Sequence, residues 1–182
     1  MSRLKAPATE DIAAETGTVL DGIGAQLGFV PSMFATLAAN PTVLEVVTSL
    51  QSTLARVLDA KTRHTIALAV SEANGCEYCL AMHSYVSSQF GGMSHEDIDL
   101  ARSGSSTDPH RAAVARFAQQ VVDTRGKVSD ADLAAVRGAG YTDAQILAIV
   151  TVTVQFLLTN FLNNVNGTDV DIPKIDSATA AT

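Results

Sequence analysis

The sequence predicts an all-α protein, and three observations carry that prediction. Ser, Thr, Asp or Asn recurs just ahead of apolar residues spaced three and four apart, the pattern of capped amphipathic helices. Asn40-Pro41 and Asp108-Pro109 place proline where a helix begins. Alanine is abundant throughout, and no β-hairpin signal occurs anywhere.

Taken in order, Thr9 reads as an N-cap with Glu10 and Asp11 in a first turn, followed by Ile12, Val19, Leu20, Ile23 and Leu27 at roughly helical spacing. Gly17, Gly22 and Gly24 weaken that segment. Gly28 to Pro31 stops the chain, and Ser32 is expected to cap a short helix to Ala39. Asn40-Pro41 restarts it, with an apolar face from Val43 to about Leu58. Asp59 caps the next helix, whose interior Thr65 to Val70 is almost wholly apolar and should be buried, ending near Asn74-Gly75. A cysteine-bearing helix then runs to about Phe90, closed by Gly91-Gly92.

Ser94 with Asp97 starts a short helix through Ala101, and residues 103 to 107 form a loop. Asp108-Pro109 opens a helix carrying Val114, Phe117, Val121 and Val122. Ser129 with Asp132 caps another, stopped by Gly138 or Gly140. Thr142-Asp143 opens the last long helix, to about Val165, and Asn166 to Thr182 is expected to be an extended tail with a frayed end. Two stretches compete with this reading. Val150 to Val154 alternates like a strand, and Ile66 to Val70 resembles a buried strand leading into a thioredoxin-like motif. A lone parallel strand has nothing to pair with, which favours helix in both places.

The chain has 182 residues, 47% of them hydrophobic and 17% charged, enough apolar material for one core and too little charge for disorder. A single domain is expected, with residues 1 to 58 as a helical extension packed on the rest. The net charge of −7 and the absence of a Lys/Arg cluster exclude nucleic acid as a partner. No apolar core of a signal peptide follows Met1 to Pro7. The run Ile146 to Leu162 is broken by Thr151, Thr153, Gln155, Thr159 and Asn160 and falls short of the roughly 20 residues of a span, so it reads as a buried helix and no membrane is expected. A cytoplasmic location follows, and in a reducing compartment two close cysteines mean redox or metal chemistry.

Those cysteines lie in Gly75-Cys76-Glu77-Tyr78-Cys79-Leu80-Ala81-Met82-His83. On a helix starting after Gly75, Cys76, Cys79 and His83 share one face at the positive end of the dipole, where thiolate is favoured. Zinc is the competing reading, with Cys76, Cys79 and His83 as ligands and His64 or Glu72 as a fourth; inert packing of both thiols is another. Leu80 after the second cysteine excludes a c-type haem. His64 is a polar group in an apolar run and needs a partner. Glu72, one turn before Cys76, reads as a relay carboxylate or a plain surface residue. Tyr78 reads as a packing residue able to hydrogen-bond. His95 and His110 receive no role.

The segment from Arg63 to His83 (Arg63-His64-Thr65-Ile66-Ala67-Leu68-Ala69-Val70-Ser71-Glu72-Ala73-Asn74-Gly75-Cys76-Glu77-Tyr78-Cys79-Leu80-Ala81-Met82-His83) resembles the core of the AhpD-like (alkylhydroperoxidase D / carboxymuconolactone decarboxylase) superfamily. Phe29-Val30-Pro31 with Asn40-Pro41, and Phe161-Leu162-Asn163-Asn164 ahead of Asp171-Ile172-Pro173, resemble its longer, peroxidase-related members. The resemblance implies an all-α helical bundle with the C-x-x-C at the start of a central helix, assembled as trimers or hexamers. It implies thiol-dependent reduction of organic hydroperoxides with no bound cofactor. By position it makes Cys79 the peroxide-attacking cysteine, Cys76 the resolving one and His83 the relay histidine. His64 stands where the family often has Glu, which gives the relay a different charge and pH dependence. The expected cycle is attack by the Cys79 thiolate, protonation of the leaving alkoxide by His83 through His64 or water, capture of the sulfenic acid by Cys76, and reduction by a dithiol or thioredoxin-like partner. A lactone decarboxylase, or a non-enzymatic thiol or zinc sensor, is the alternative.

Overall fold

The computed structural model of the protein describes residues 1–172. Nine α-helices run through them, and no strand occurs among the described residues. They are α1 (Ala14–Leu27), α2 (Ser32–Leu37), α3 (Pro41–Leu54), α4 (Ala60–Ala73), α5 (Glu77–Gln89), α6 (His95–Arg102), α7 (Pro109–Asp123), α8 (Asp130–Gly138) and α9 (Asp143–Asn166). Both stretches that competed as strands, Ile66 to Val70 and Val150 to Val154, are helical, in α4 and α9.

Six helices begin at the caps read from the sequence. Asn40, Asp59, Ser94, Asp108, Ser129 and Thr142 each accept a backbone N–H of the first turn. Ser129 with Asp132, and Thr142 with Gln145, close reciprocal capping boxes. Two starts differ. Thr9–Asp11 is an isolated 3-10 turn, and α1 begins only at Ala14, because Ile12 and Ala13 are extended and carry Ile12 down onto the packing around Cys76. Ser32 lies inside α2, with Pro31 as its cap. Its hydroxyl and N–H instead donate to the Asp171 carboxylate at 2.6 and 2.9 Å. Neighbouring sequence cannot show a cap that arrives from the far end of the chain.

The most enclosed helix is α4, packed against α5, α6, α7 and α9, with every residue from Thr65 to Ser71 at 0% exposure. One core joins α4, α7, α8 and α9 around Phe117, Ile66, Ile149 and Val152. A second joins α1, α2 and α3 to Cys76, Tyr78 and Cys79. Helix α9 ends where the sequence reading put it, at Asn166 against an expected end near Val165, with Gly167 as a left-handed C-cap at φ 56°. By length and composition it is the one helix among the described residues that could cross a membrane, but only one of its faces is buried, against α3, α4, α5 and α7. Residues 168–172 leave the helix, and Asp169 and Asp171 tie them to Ser2 and Ser32. Of the expected extended tail, residues 173 to 182 lie outside the described residues.

Candidate active site

The site is built where α4 hands over to α5. Gly75 takes φ +59°, a conformation that glycine adopts without strain, and the Cys76 N–H donates back to the Ser71 carbonyl at 3.0 Å. That tight turn makes Cys76 the N-cap of α5 and puts Cys79 in its first turn. The Cys79 N–H donates to Cys76 Sγ at 3.3 Å, and the two cysteines form a disulfide with Cα atoms 5.2 Å apart. Three asparagines of α9 fasten this corner. Asn160 Nδ2 donates to Ser71 Oγ at 3.2 Å, Asn164 Nδ2 donates to the Asn74 carbonyl at 3.0 Å, and Asn163 Nδ2 donates to Cys79 Sγ at 3.4 Å.

Cys79 faces a cavity of about 420 Å³ lined by α1, α2, α3, α4, α5 and α9. Its walls are largely apolar, with Leu27, Phe34, Leu54, Met82, Val86 and Phe156. His64 and His83 also line it, so the structure brings three of the five sequence-chosen residues to one cavity. Cys76 is fully buried behind Cys79. The His83 ring meets Phe156 edge-on, with centroids 5.0 Å apart. His64 packs against Gly91, where a Cβ would stand 2.8 Å from its Cδ2. Burial pushes His83 down to about 3, helped by His64, and burial together with Arg63 pushes His64 down to about 4. Both imidazoles are therefore neutral at pH 7.

Glu72 is not brought to the cavity. Its carboxylate accepts the Nε of Arg102 at 2.7 Å on the surface, with 41% of the side chain exposed. Although close to Cys76 in number, it is turned away as α4 ends. Of the two fourth ligands read for zinc, Glu72 lies outside the cavity, and the two sulfurs are joined to each other. Tyr78 does more than pack. Its hydroxyl accepts the Met33 N–H at 3.3 Å, and burial, with Asp171 beside it, pushes its pKa upward. His95 opens α6 on the surface, and His110 stacks on Tyr141 away from the cavity.

Sequence reasoning gave no role to two polar residues of this cavity, Gln155 and Asn163. The signal was present: Gln155, Thr159 and Asn163 recur every fourth residue in an apolar run, which puts them on one helix face.

The sequence model of the Carboxymuconolactone decarboxylase family matches residues 41–120. A solved structure described as an alkylhydroperoxidase AhpD core, an uncharacterized peroxidase-related protein from Ralstonia eutropha JMP134, is 26% identical. The similarity covers 93% of this chain and 92% of that one, with a TM-score of 0.84. The family match over residues 41–120 and this likeness support the AhpD/carboxymuconolactone decarboxylase superfamily for this chain. A peroxidase-related protein from Silicibacter sp. TM1040 shares the AhpD-like fold at 23% identity, over 92% and 91% of the two chains, with a TM-score of 0.81. So does a cysteine variant of the debrominase Bmp8 in complex with 2,3,4-tribromopyrrole, at 16% identity over 94% and 92%, with a TM-score of 0.80. No protein of curated function matches the chain. The matched AhpD-like segment runs from α3 into α7 and includes His64, Cys76, Cys79 and His83, whereas α9 with Gln155 and Asn163 lies beyond it.

Proposed function

We propose that this AhpD-like protein is an enzyme of the peroxidase-related branch that reduces organic hydroperoxides through a Cys76–Cys79 dithiol–disulfide cycle. The observation that carries this reading is Cys79 paired with Cys76 at the start of α5 and facing an apolar cavity with two neutral imidazoles. In the reduced protein the α5 N-terminus and the Asn163 amide favour the Cys79 thiolate, whose proton is lost to solvent, and neutral His83 relays a proton from water through its two ring nitrogens. The thiolate attacks the terminal oxygen of the hydroperoxide and the O–O bond breaks. The alkoxide leaves as the alcohol with the proton from His83, directly or through His64. Cys79 is left as the sulfenic acid; Cys76 attacks its sulfur, forming the disulfide and releasing water. A dithiol, small or carried by a thioredoxin-like protein, then reduces the disulfide and is itself oxidised.

The same reading includes a homo-oligomer built from a second copy of the chain. Leu147, Val154, Leu158, Phe161 and Val165 are exposed on one face of α9. With Thr151 they repeat at alternating steps of four and three, the seam of a helix pair. Residues 144–166 hold no charged side chain, so two copies of a chain with net charge −7 can meet there without like charges opposing.

The test is to add one equivalent of an alkyl hydroperoxide to the reduced protein and to follow thiol content and intact mass. Rapid loss of both thiols with a Cys76–Cys79 disulfide is expected, and Cys79→Ser should abolish turnover. Undiminished peroxidase activity in Cys79→Ser would sink the reading, and a lyase activity surviving loss of both cysteines would replace it with decarboxylation.

A further inference from the structure

Helix α9 lays Gln155, Thr159 and Asn163 along one wall of the cavity, at positions that span about 12 Å of helix axis. Gln155 is 5% exposed and Asn163 3%, so both amides are buried. The Thr159 hydroxyl is satisfied by the Phe156 carbonyl at 3.0 Å. Among the described residues, Gln155 Nε2 and Asn163 Oδ1 find no hydrogen-bond partner. Asn163 cannot gain by turning its amide over, because its Nδ2 faces three acceptors: the Thr159 carbonyl at 2.9 Å, Met33 Sδ at 3.1 Å and Cys79 Sγ at 3.4 Å. Its oxygen is thus the atom left open beside the reactive sulfur. Asn163 beside Cys79 and Gln155 further along the same wall thus carry one unpaired acceptor and one unpaired donor, both closed to solvent behind the cavity lining. Buried polar atoms of this kind are disfavoured unless something supplies the missing partner.

We propose that these two atoms recognise the substrate, each amide turning into the cavity as the substrate enters. Asn163 Oδ1 accepts the O–H of the hydroperoxide and holds its terminal oxygen at Cys79 Sγ. Gln155 Nε2 donates to a second, neutral oxygen on the apolar body of the substrate. The substrate class is then an apolar hydroperoxide carrying a carbonyl or hydroxyl up to about 12 Å from the peroxide, rather than hydrogen peroxide or a bare alkyl hydroperoxide. A neutral oxygen suffices as partner, because the Gln155 amide is an uncharged donor.

This inference rests on the peroxidase reading, and its test separates the two. The probes are two hydroperoxides of equal chain length, one with a ketone in the chain and one with a methylene in its place. The wild-type protein should favour the ketone probe by about 10-fold or more in kcat/KM, as a buried donor rejects a substrate that leaves it unpaired. Gln155→Leu should bring the ratio to within about 2-fold, with thermal stability equal to or above that of the wild type because an unpaired buried amide has been removed. No preference in the wild type, or a preference that survives Gln155→Leu, overturns the proposal while leaving peroxidase activity standing. The corresponding keto-alcohol and plain alcohol, titrated calorimetrically into the oxidised protein, report recognition without turnover. A Gln155-dependent preference there, with no hydroperoxide consumed, would retain the recognition and discard the peroxidase reading.

Discussion

His64 and His83 show how far burial moves a single side chain. In an unfolded chain each titrates near 6.5, whereas folding lowers them to about 4 and about 3. As pH falls below 6.5 the unfolded chain takes up protons that the folded protein refuses. Their contribution to stability is therefore complete above pH 6.5 and is lost as pH falls toward 4 and 3. For His64, whose ring is partly open to the cavity, a loss on the order of 1–2 kcal/mol is expected after discounting for solvent. That corresponds to about 2–8 °C in Tm for a chain of this size. Thermal unfolding of the oxidised protein from pH 7 to 4 should show this slope, and His64→Gln should flatten part of it. A Tm that does not change across the window would mean that the imidazoles are not held neutral.

At the scale of the element, the α5–α6 link places a backbone against a side chain of another helix. A Cβ on Gly91 would stand 2.8 Å from both His64 Cδ2 and the Ser87 carbonyl oxygen, so either the imidazole or the link must shift. Gly91→Ala should cost about 1–3 kcal/mol and slow thiol oxidation, because His64 is displaced; a variant matching the wild type in both Tm and rate would show that the fit is loose. The elements themselves were largely legible because helix starts are local. Asp59 or Ser129 satisfies a backbone group three residues away, within the reach of a sequence pattern. What was not legible depends on distant partners. Ser32 is held by Asp171, Glu72 by Arg102, and Cys79 by Asn163, separated by 139, 30 and 84 residues. The C-x-x-C and His83 could be read because their chemistry lies within one turn of one helix. For Gln155 the sequence spacing shows only a shared polar face with Thr159 and Asn163; the packing of α9 against α3, α4 and α5 is what makes that face a wall of the cavity.

At the scale of the whole molecule, α9 serves two faces. One closes the cavity, and the other presents Leu147, Val154, Phe161 and Val165 to solvent at 54–70% exposure. Introducing a charge there by Val154→Glu should lower the mass seen by sedimentation equilibrium without changing Tm by more than about 1 kcal/mol equivalent, since exposed positions tolerate substitution. An unchanged mass would remove α9 as the self-association surface. The buried disulfide carries a different consequence. Cys76 is 0% and Cys79 3% exposed, and a thiolate must approach a disulfide sulfur directly to displace its partner. The path to Cys79 is the cavity itself. A slender molecule can follow it, whereas the blunt surface of a folded oxidoreductase meets the outer wall first. Two electron donors of equal potential would then reduce this protein at unequal speed, ranked by girth rather than by driving force.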